Sequence, residues 1–239
     1  MRMRNLTLEG DLMREIQNPA LKAQLIATTH FVDHFSFDAT GAAKLLLFPA
    51  QSYIVRADAR PAYLFYLVRG KAKLYHPLAN GKVALINFFT PPCFIGEMEL
   101  IDPTSAPFNM QALTDCYCLA LPIAPLHDQL LHDAMFLRHI CTYLARKNVT
   151  DIQTATQNQS FTLTQRLAAF ILMTAHDGLY TEKHTQVAEY LGVSYRHLLY
   201  VIARFVDDGL LSKVDHHYHV TNEAALRQLA AEIVDSSLK

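Results

Sequence analysis

The stretch TQVAEYLGVSYRHLLYVIARF, residues 185–205, has the pattern of two short helices joined by a tight turn. The small Ala188 fits where two helices approach closely, Gly192 accepts the positive φ of the turn, and Ser194 can cap the second helix. One stripe of the second helix is apolar: Leu198, Val201, Ile202 and Phe205. The spacing therefore predicts a helix-turn-helix, whose first helix covers residues 186–191.

A β-hairpin wing is predicted directly after this unit. Asp208 and Gly209 end the second helix. Residues 210–214 and 218–221 are strand-like and flank residues 215–217, Asp-His-His. Each feature is common by itself, but the ordered set predicts a winged helix-turn-helix that binds duplex DNA.

The charge of the chain gives no support of its own for DNA binding. The formal net charge is −1, and residues 160–239 hold seven Lys or Arg against nine Asp or Glu. Non-specific attraction to phosphate should therefore be modest. Six histidines in the same region would add positive charge below a pH of about 6.5, so we expect a pH-dependent DNA affinity. His216, His217 and His219 could instead bind a metal, but no cysteine or third element completes that set.

Eight short apolar segments precede this domain. They are rich in aromatic and β-branched residues and cover residues 45–48, 52–55, 63–68, 72–75, 83–89, 93–95, 110–113 and 116–121. Asn80-Gly81 is a strong signal for a two-residue hairpin turn, because both residues accept positive φ. Short strands at this spacing predict a β-sandwich, roll or barrel.

A helical period follows the β region. Apolar residues recur every three or four positions from Leu126 to Ile152, with no Gly or Pro before Gly178. This predicts one long helix over residues 126–158. Its apolar stripe from Phe136 to Leu144 suits pairing with a second helix, or packing on the chain's own β domain.

The chain thus divides into four predicted segments. Residues 1–40 form a helical segment, with a helix predicted over residues 12–29. The β domain covers residues 41–125 and the long helix residues 126–158. The winged domain covers residues 159–239, and in it Thr162 caps a helix over residues 165–175. No run approaches the ~20 apolar residues of a membrane span, and no apolar segment follows the positive start. We expect a cytoplasmic protein without membrane contact.

The four cysteines include no CxxC pair: Cys93, Cys116, Cys118 and Cys141. Cys116 and Cys118 would lie on one face of a strand, two rises of ~3.3 Å apart, which is too far for a disulfide. Small buried thiols are the preferred interpretation, since a free cysteine behaves as a small apolar residue.

Three further motifs complete a family resemblance: LVRG at residues 67–70, FIGE at residues 94–97 and LTQRLA at residues 163–168. Together with the helix-turn-helix they resemble the CRP/FNR superfamily of bacterial transcription regulators over nearly the whole chain. Residues 94–102, 157–161 and 184–200 look closest to one of its members. The resemblance implies an α+β fold with an N-terminal cyclic-nucleotide-binding-like β-roll (double-stranded jelly roll), a long connecting and dimerisation helix and a C-terminal winged helix-turn-helix.

The resemblance also implies function. It predicts a transcription activator and not an enzyme. This activator would bind a palindromic operator as a homodimer, with half-sites ~34 Å apart, and would contact RNA polymerase. Tyr195, Arg196 and Tyr200 match base-reading positions where the family often has Arg, Glu and Arg, so the target should differ from the family's usual one. Arg196 could contact a guanine, worth ~1–3 kcal/mol of discrimination. The residues expected at the DNA are Thr185, Ser194, Tyr195, Arg196, His197, Tyr200, Arg204, His216 and His217.

Gly96 and Glu97 match the effector pocket of the family's cyclic-nucleotide branch. In that branch the pair contacts the ribose and a downstream Arg meets the phosphate. From Glu97 to Cys116 this chain has no Lys or Arg. A buried phosphate without a cationic partner is costly, so cyclic AMP is not expected.

An iron–sulfur or redox site is the other effector that the family suggests. MQAL at residues 110–113 resembles the oxygen-sensing branch, but residues 1–92 contain no cysteine. A cluster would therefore need the four cysteines at 93, 116, 118 and 141, whose spacings match no common cluster motif. The effector stays unknown.

Two other functions are open alternatives to DNA binding. A cupin-type metal enzyme needs several His and carboxylates on neighbouring strands, but residues 44–121 contain a single histidine, His76. The sequence also has no Gly-x-Ser-x-Gly motif, no Walker motif and no zinc-type spacing. A regulatory module could instead dock on a protein through the same surface without DNA. Salt dependence distinguishes the two, because a DNA complex weakens steeply with salt.

Overall fold

The structure is a computed structural model that describes residues 2–8, 11–77 and 83–236. Its contacts separate a first unit, up to Leu144, from a second unit that begins at Ala145 and also takes in Val83–Leu85. In the part of the chain that the structure describes, no helix is both long and apolar enough to cross a membrane.

The described residues form ten strands ahead of the long helix. In chain order they are β1 (Arg2–Leu8), β2 (Asp11–Gln17), β3 (Lys44–Phe48), β4 (Tyr53–Val55), β5 (Tyr63–Arg69), β6 (Ala72–Pro77), β7 (Val83–Phe89), β8 (Cys93–Ile95), β9 (Asn109–Ala112) and β10 (Cys116–Pro122). One sheet has the order β1-β2-β3-β10-β5-β8 and the other the order β4-β9-β6-β7. All eight strands predicted between residues 45 and 121 are confirmed, whereas the predicted Asn80-Gly81 turn lies outside the described residues.

The six-stranded sheet is buried on both faces. One face, which includes Leu46 and Cys118, packs against the four-stranded sheet. The other face, which includes Leu45 and Leu119, is covered by helical segments. A strand buried on both sides needs apolar residues at every position, and this explains why residues 45–48 read LLLF without alternation.

The N-terminal segment differs from the predicted helix over residues 12–29. β1 and β2 form a hairpin that extends the six-stranded sheet, and helix α1 covers only Pro19–Thr28. Asn18 begins this helix, because its Oδ1 accepts a hydrogen bond from the Leu21 amide at 3.0 Å and Pro19 suits the first helical position. The helix prediction is therefore wrong for residues 12–17, and residues 1–40 are not uniformly helical.

The long helix predicted over residues 126–158 is two helices. After the short α2 (Glu97–Ile101), α3 covers Ile123–His132 and α4 covers Ala134–Ser160. Asp133 lies between them and is 5% exposed. Its Oδ1 accepts hydrogen bonds from the amides of Met135 and Phe136, at 2.9 and 3.3 Å, and its Oδ2 accepts one from the Ser36 amide at 2.8 Å. A carboxylate that caps two free amides begins a new helix, so the prediction of one continuous helix is wrong here.

The apolar stripe of α4 packs on its own domain. Phe136 and Ile140 are fully buried in the layer between the helices and the six-stranded sheet. The Tyr143 hydroxyl donates a hydrogen bond to the Phe94 carbonyl oxygen at 3.2 Å. Of the two interpretations of this stripe, the structure therefore supports packing on the chain's own β domain.

The second unit continues from α4 through seven further elements. They are α5 (Leu163–Thr174), β11 (Leu179–Tyr180), α6 (His184–Tyr190), α7 (Tyr195–Asp207), β12 (Leu211–Val214), β13 (His217–Val220) and α8 (Glu223–Ser236). Thr162 caps α5 as predicted and forms a capping box with Gln165. The strands have the order β11-β13-β12, and α8 packs on α5. β11 and α8 were not predicted.

Replacement of Asp133 by Ala should destabilise the first unit by about 1 to 3 kcal/mol, because it removes a helix cap and leaves the Ser36 amide without its acceptor. We expect this in urea unfolding of the variant at neutral pH. Asp128→Ala, on the exposed side of α3, is the control and should have little effect. Equal unfolding free energies for the two variants would contradict the role of Asp133.

The Asp133 contribution should also depend on pH. Burial favours the neutral acid, but the hydrogen bonds from Ser36, Phe136 and Met135 outweigh burial and hold the pKa of Asp133 below its ordinary value. A lowered carboxyl pKa gives stability that is present above a pH of about 4 and is lost as the pH falls through the lowered pKa. The gap between wild type and Asp133→Ala should therefore shrink in acid.

Candidate nucleic-acid interface

The turn between α6 and α7 has the predicted geometry. Gly192 has φ of +63°, and the Val193 amide donates a hydrogen bond to the Ala188 carbonyl oxygen at 2.9 Å. Ser194 begins α7, since its hydroxyl oxygen accepts a hydrogen bond from the His197 amide at 3.2 Å. The structural roles predicted for Gly192 and Ser194 are thus confirmed, and Ala188 is buried where the two helices meet.

Arg166 of α5 holds the same turn from the core side. Its Nη1 donates a hydrogen bond to the Leu191 carbonyl oxygen, and its Nε donates one to the Phe161 carbonyl oxygen at 3.1 Å. Partial burial lowers the pKa of Arg166, but an arginine stays charged at any physiological pH. A positive charge at the last carbonyls of α6 also opposes the negative end of the helix dipole. Arg166 was not among the residues predicted for this site, although it lies in the LTQRLA motif.

Helix α7 has one buried and one exposed face. The buried stripe is the predicted one: Leu198, Val201, Ile202 and Phe205. The exposed face presents all five predicted DNA-contact residues of the helix: Tyr195, Arg196, His197, Tyr200 and Arg204. The Tyr195 and Tyr200 side chains are 49% and 62% exposed. Arg196 and Tyr200 are adjacent on the helix surface, because they are four residues apart.

The wing and the start of α6 carry the remaining predicted contacts. Val214 pairs with His217, and Asp215 has φ of +51°, so the turn is Asp215-His216 and His217 belongs to β13. The predicted turn over residues 215–217 is therefore one residue too long. His216, His217 and Thr185 are exposed. The pH-dependent DNA affinity inferred from the histidines stays a prediction.

An aromatic cluster joins the wing to α6. The His184 ring lies 5.9 Å from the Tyr180 ring and 5.5 Å from the Tyr218 ring, measured between centroids. Burial lowers the pKa of His184 and so favours its neutral form beside the two phenol rings. Tyr180 is in β11 and Tyr218 in β13, so the cluster fixes the base of the wing against the first helix of the helix-turn-helix.

Gly96 and Glu97 lie at the start of α2 in the first unit. Gly96 has φ of +88°, and a Cβ there would lie 3.3 Å from the Tyr63 carbonyl oxygen. Glu97 is 3% exposed and bonded within the protein. The segment from Glu97 to Cys116 still offers no cation to a phosphate. These residues therefore do not fit a cyclic nucleotide bound at this pair.

The four cysteines do not form one site. Cys93, Cys116 and Cys118 lie in the core between the two sheets, whereas Cys141 is exposed on α4. Burial raises the pKa of Cys116 to about 12 and raises that of Cys118 well above its ordinary value. Within the described ranges, no group of three or more His, Cys, Asp or Glu is placed to hold a metal ion. The cysteines therefore do not fit a four-ligand iron–sulfur cluster, and buried thiols are the interpretation that holds for Cys116 and Cys118.

Comparison with known families matches both units of the chain. Residues 45–133 match the family model of the cyclic nucleotide-binding domain. Residues 165–229 match the model of the Crp-like helix-turn-helix domain. The two matches cover the β domain with α3, and the segment from α5 into α8.

Individual proteins show the same similarity. The chain is 53% identical over 203 residues to the regulatory protein YeiL of Escherichia coli O157:H7, covering 85% of this chain and 93% of that protein. A CRP-family transcriptional regulator from Thermus thermophilus has 18% identity and a TM-score of 0.60 over 77% of this chain and 96% of its own. A CRP/FNR-family regulator from Eubacterium rectale has 14% identity and a TM-score of 0.63 over 90% and 95%. At these low identities the structural matches show a shared fold.

Thiol chemistry should distinguish the exposed cysteine from the three core cysteines. A disulfide reagent added to the native protein at pH 8 should react quickly with one thiol, Cys141, because Cys141 is exposed and the three core thiols are buried out of its reach. Cys141→Ser should abolish the fast phase, whereas Cys118→Ser should leave it unchanged. A fast phase that survives Cys141→Ser would contradict the assignment.

Proposed function

Because the chain belongs to the CRP/FNR family of transcription regulators, we propose that it binds a palindromic DNA operator as a homodimer and that its β-roll responds to a signal other than cyclic AMP. Activation of transcription through contact with RNA polymerase is part of this proposal. The observation that supports it most is the division of α7 into two faces: the apolar stripe is buried, while the polar and aromatic face is exposed.

Helix α7 enters the major groove in this proposal. Arg196 reads a guanine, since its guanidinium can donate two hydrogen bonds to the O6 and N7 of that base. Tyr195 and Tyr200 contact neighbouring base edges with rings that are exposed in the free protein. Thr185, at the exposed start of α6, and Arg204 contact phosphate, and His216 at the wing tip contacts the backbone beside the groove.

The homodimer pairs along the outer face of α4. The inner face, with Phe136 and Ile140, is already buried in its own domain. The outer face has exposed residues at alternating spacings of three and four: Met135, Arg138, Thr142, Ala145 and Val149. That spacing is typical of a helix that pairs with a second copy, and all members of the stripe except Arg138 are small or apolar, which allows close approach.

Arg196→Gln should weaken operator binding by about five- to a hundredfold, because it removes the guanine contact. The operator is first selected from random duplex DNA, and affinity is then measured by fluorescence anisotropy at fixed salt. The control is Arg227→Gln on α8, which removes the same charge from an exposed ion pair with Glu223.

Two results would count against this assignment. If Arg196→Gln weakens operator and random DNA equally, Arg196 contacts phosphate and reads no base. If the affinity of the wild type for the selected DNA does not fall with salt, the exposed face of α7 makes no phosphate contacts, and docking on a protein becomes the better interpretation of this surface.

Ala145→Glu should convert the dimer to a monomer and reduce operator affinity, because it places two like charges across the proposed helix pair. Sedimentation equilibrium gives the oligomeric state. Ala145→Ser is the matched control and should remain dimeric, since it keeps the side chain small. A dimer that tolerates Ala145→Glu would show that the copies pair elsewhere.

A further inference from the structure

One histidine of the first unit is enclosed by other rings. His34 is the last residue of a short 3-10 helix, the Phe31–His34 turn, which follows α1. Its ring centroid lies 5.1 Å from that of Tyr66 on β5, 5.1 Å from that of Phe94 on β8 and 5.0 Å from that of His139 on α4. The turn therefore meets the six-stranded sheet and α4 through one imidazole.

The hydrogen bonds around His34 determine which ring nitrogen carries the hydrogen. The Tyr66 hydroxyl has one hydrogen, which it donates to the Thr29 carbonyl oxygen at 3.1 Å. The same hydroxyl oxygen therefore accepts a hydrogen bond from the His34 Nε2–H group, at 2.8 Å. The His34 Nδ1 atom is buried and has no hydrogen-bond partner among the described residues. The site thus suits a neutral imidazole whose Nδ1 carries no hydrogen.

Protonation of His34 would add an N–H on Nδ1, and a buried donor without an acceptor costs free energy. Two other histidines, His139 of α4 and His30 before the turn, place like charges near the ring when they are protonated. Tyr66 stays neutral, since burial raises its pKa to about 12. Asp33 favours the charged ring, but its side chain is 63% exposed and pairs with His30 at 3.3 Å. Burial, and after it His139, therefore lower the pKa of His34.

We propose that His34 is an acid-sensitive latch, whose neutral imidazole holds the Phe31–His34 turn on β5, β8 and α4 and whose protonated form releases it. In the released turn the imidazole is in water and has an ordinary pKa of about 6.5. A histidine whose pKa is lowered in the closed state gives stability that is present above that value and is lost as the pH falls toward the lowered pKa. This window lies at higher pH than the window in which Asp133 loses its contribution.

Release of the turn acts on α4 next to the proposed dimer face. Phe35 follows the turn directly and stacks on Phe136 of α4, with ring centroids 5.5 Å apart and an interplanar angle of 11°. His139 is adjacent to Arg138, which belongs to the exposed stripe. Protonation of His34 thus weakens two contacts that hold the first turns of α4 on their own domain. An effect on dimerisation or operator affinity rests on the proposed function, whereas release of the turn does not.

The test is hydrogen exchange of the full-length protein, measured by mass spectrometry on a peptide that contains residues 31–36. The Asp33 and Phe35 amides donate hydrogen bonds to the His30 and Val32 carbonyl oxygens, at 3.0 and 3.2 Å, so their exchange reports opening of the turn. Protection, corrected for the intrinsic pH dependence of exchange, should fall about five- to thirtyfold between pH 7.5 and pH 5.0. The lower figure is the cost of one unsatisfied buried donor, and the upper is the limit that an ordinary imidazole pKa sets at pH 5.0.

Three variants separate His34 from the other histidines. His34→Gln should abolish the acid loss of protection, because glutamine can still donate a hydrogen bond to the Tyr66 hydroxyl but takes up no proton. His127→Gln, at an exposed position of α3, is the matched control and should keep the full loss. His139→Gln should lessen the loss, because the protonated His34 then has no like charge beside it on α4.

Two results would overturn the latch. One is wild-type protection that stays flat between pH 7.5 and pH 5.0, and the other is an acid loss that persists in His34→Gln. If His34→Gln does not fold, an acid loss that is equal in His139→Gln and the wild type overturns the proposal instead. Oligomeric state and operator affinity, measured at pH 7.5 on the same preparations, report separately on the proposed function.

Discussion

The carboxylate of Asp133 is the constraint on which the first unit most depends. It caps the first turn of α4 through the amides of Met135 and Phe136 and ties that turn to the Ser36 amide. Because the first turn of α4 is held in this way, its apolar face lies on the sheet and a second face, from Met135 to Val149, remains in water. One buried side chain thus fixes the start of the helix, and the packing of Phe136 and Ile140 then sets which face belongs to the chain's own core and which face is exposed.

The fold of the family is retained in this chain while the chemistry at its expected effector positions has changed. Glu97 is buried and bonded within the protein, and no cation follows it before Cys116. Three of the four cysteines serve as small core residues, and burial raises the pKa of two of them, Cys116 and Cys118. Family membership thus identifies the architecture, whereas the signal depends on the side chains of this chain.

Much of the fold followed from the sequence where local chemistry and tertiary packing agree. The strands between residues 45 and 121 were predicted closely, because turn residues separate them, and the turn at Gly192 was predicted because few residues other than glycine accept its φ. Periodicity failed where one side chain overrides it: Asn18 and Asp133 each begin a helix inside an apolar pattern that continues across them. Contacts between distant segments, such as that of Arg166 with the Leu191 carbonyl oxygen, leave no periodic signal in the chain.

The two exposed tyrosines of α7 have a thermodynamic consequence. Tyr195 and Tyr200 keep much of their ring surface in water while the protein is free. A groove that covers those rings removes apolar surface from water, and such burial lowers the heat capacity of the complex. The enthalpy of association then becomes more negative as the temperature rises, and the affinity passes through a maximum instead of changing steadily. A recognition helix with arginines at the same positions would show much less of this curvature, so the aromatic residues make temperature itself a variable in how firmly the regulator holds its site.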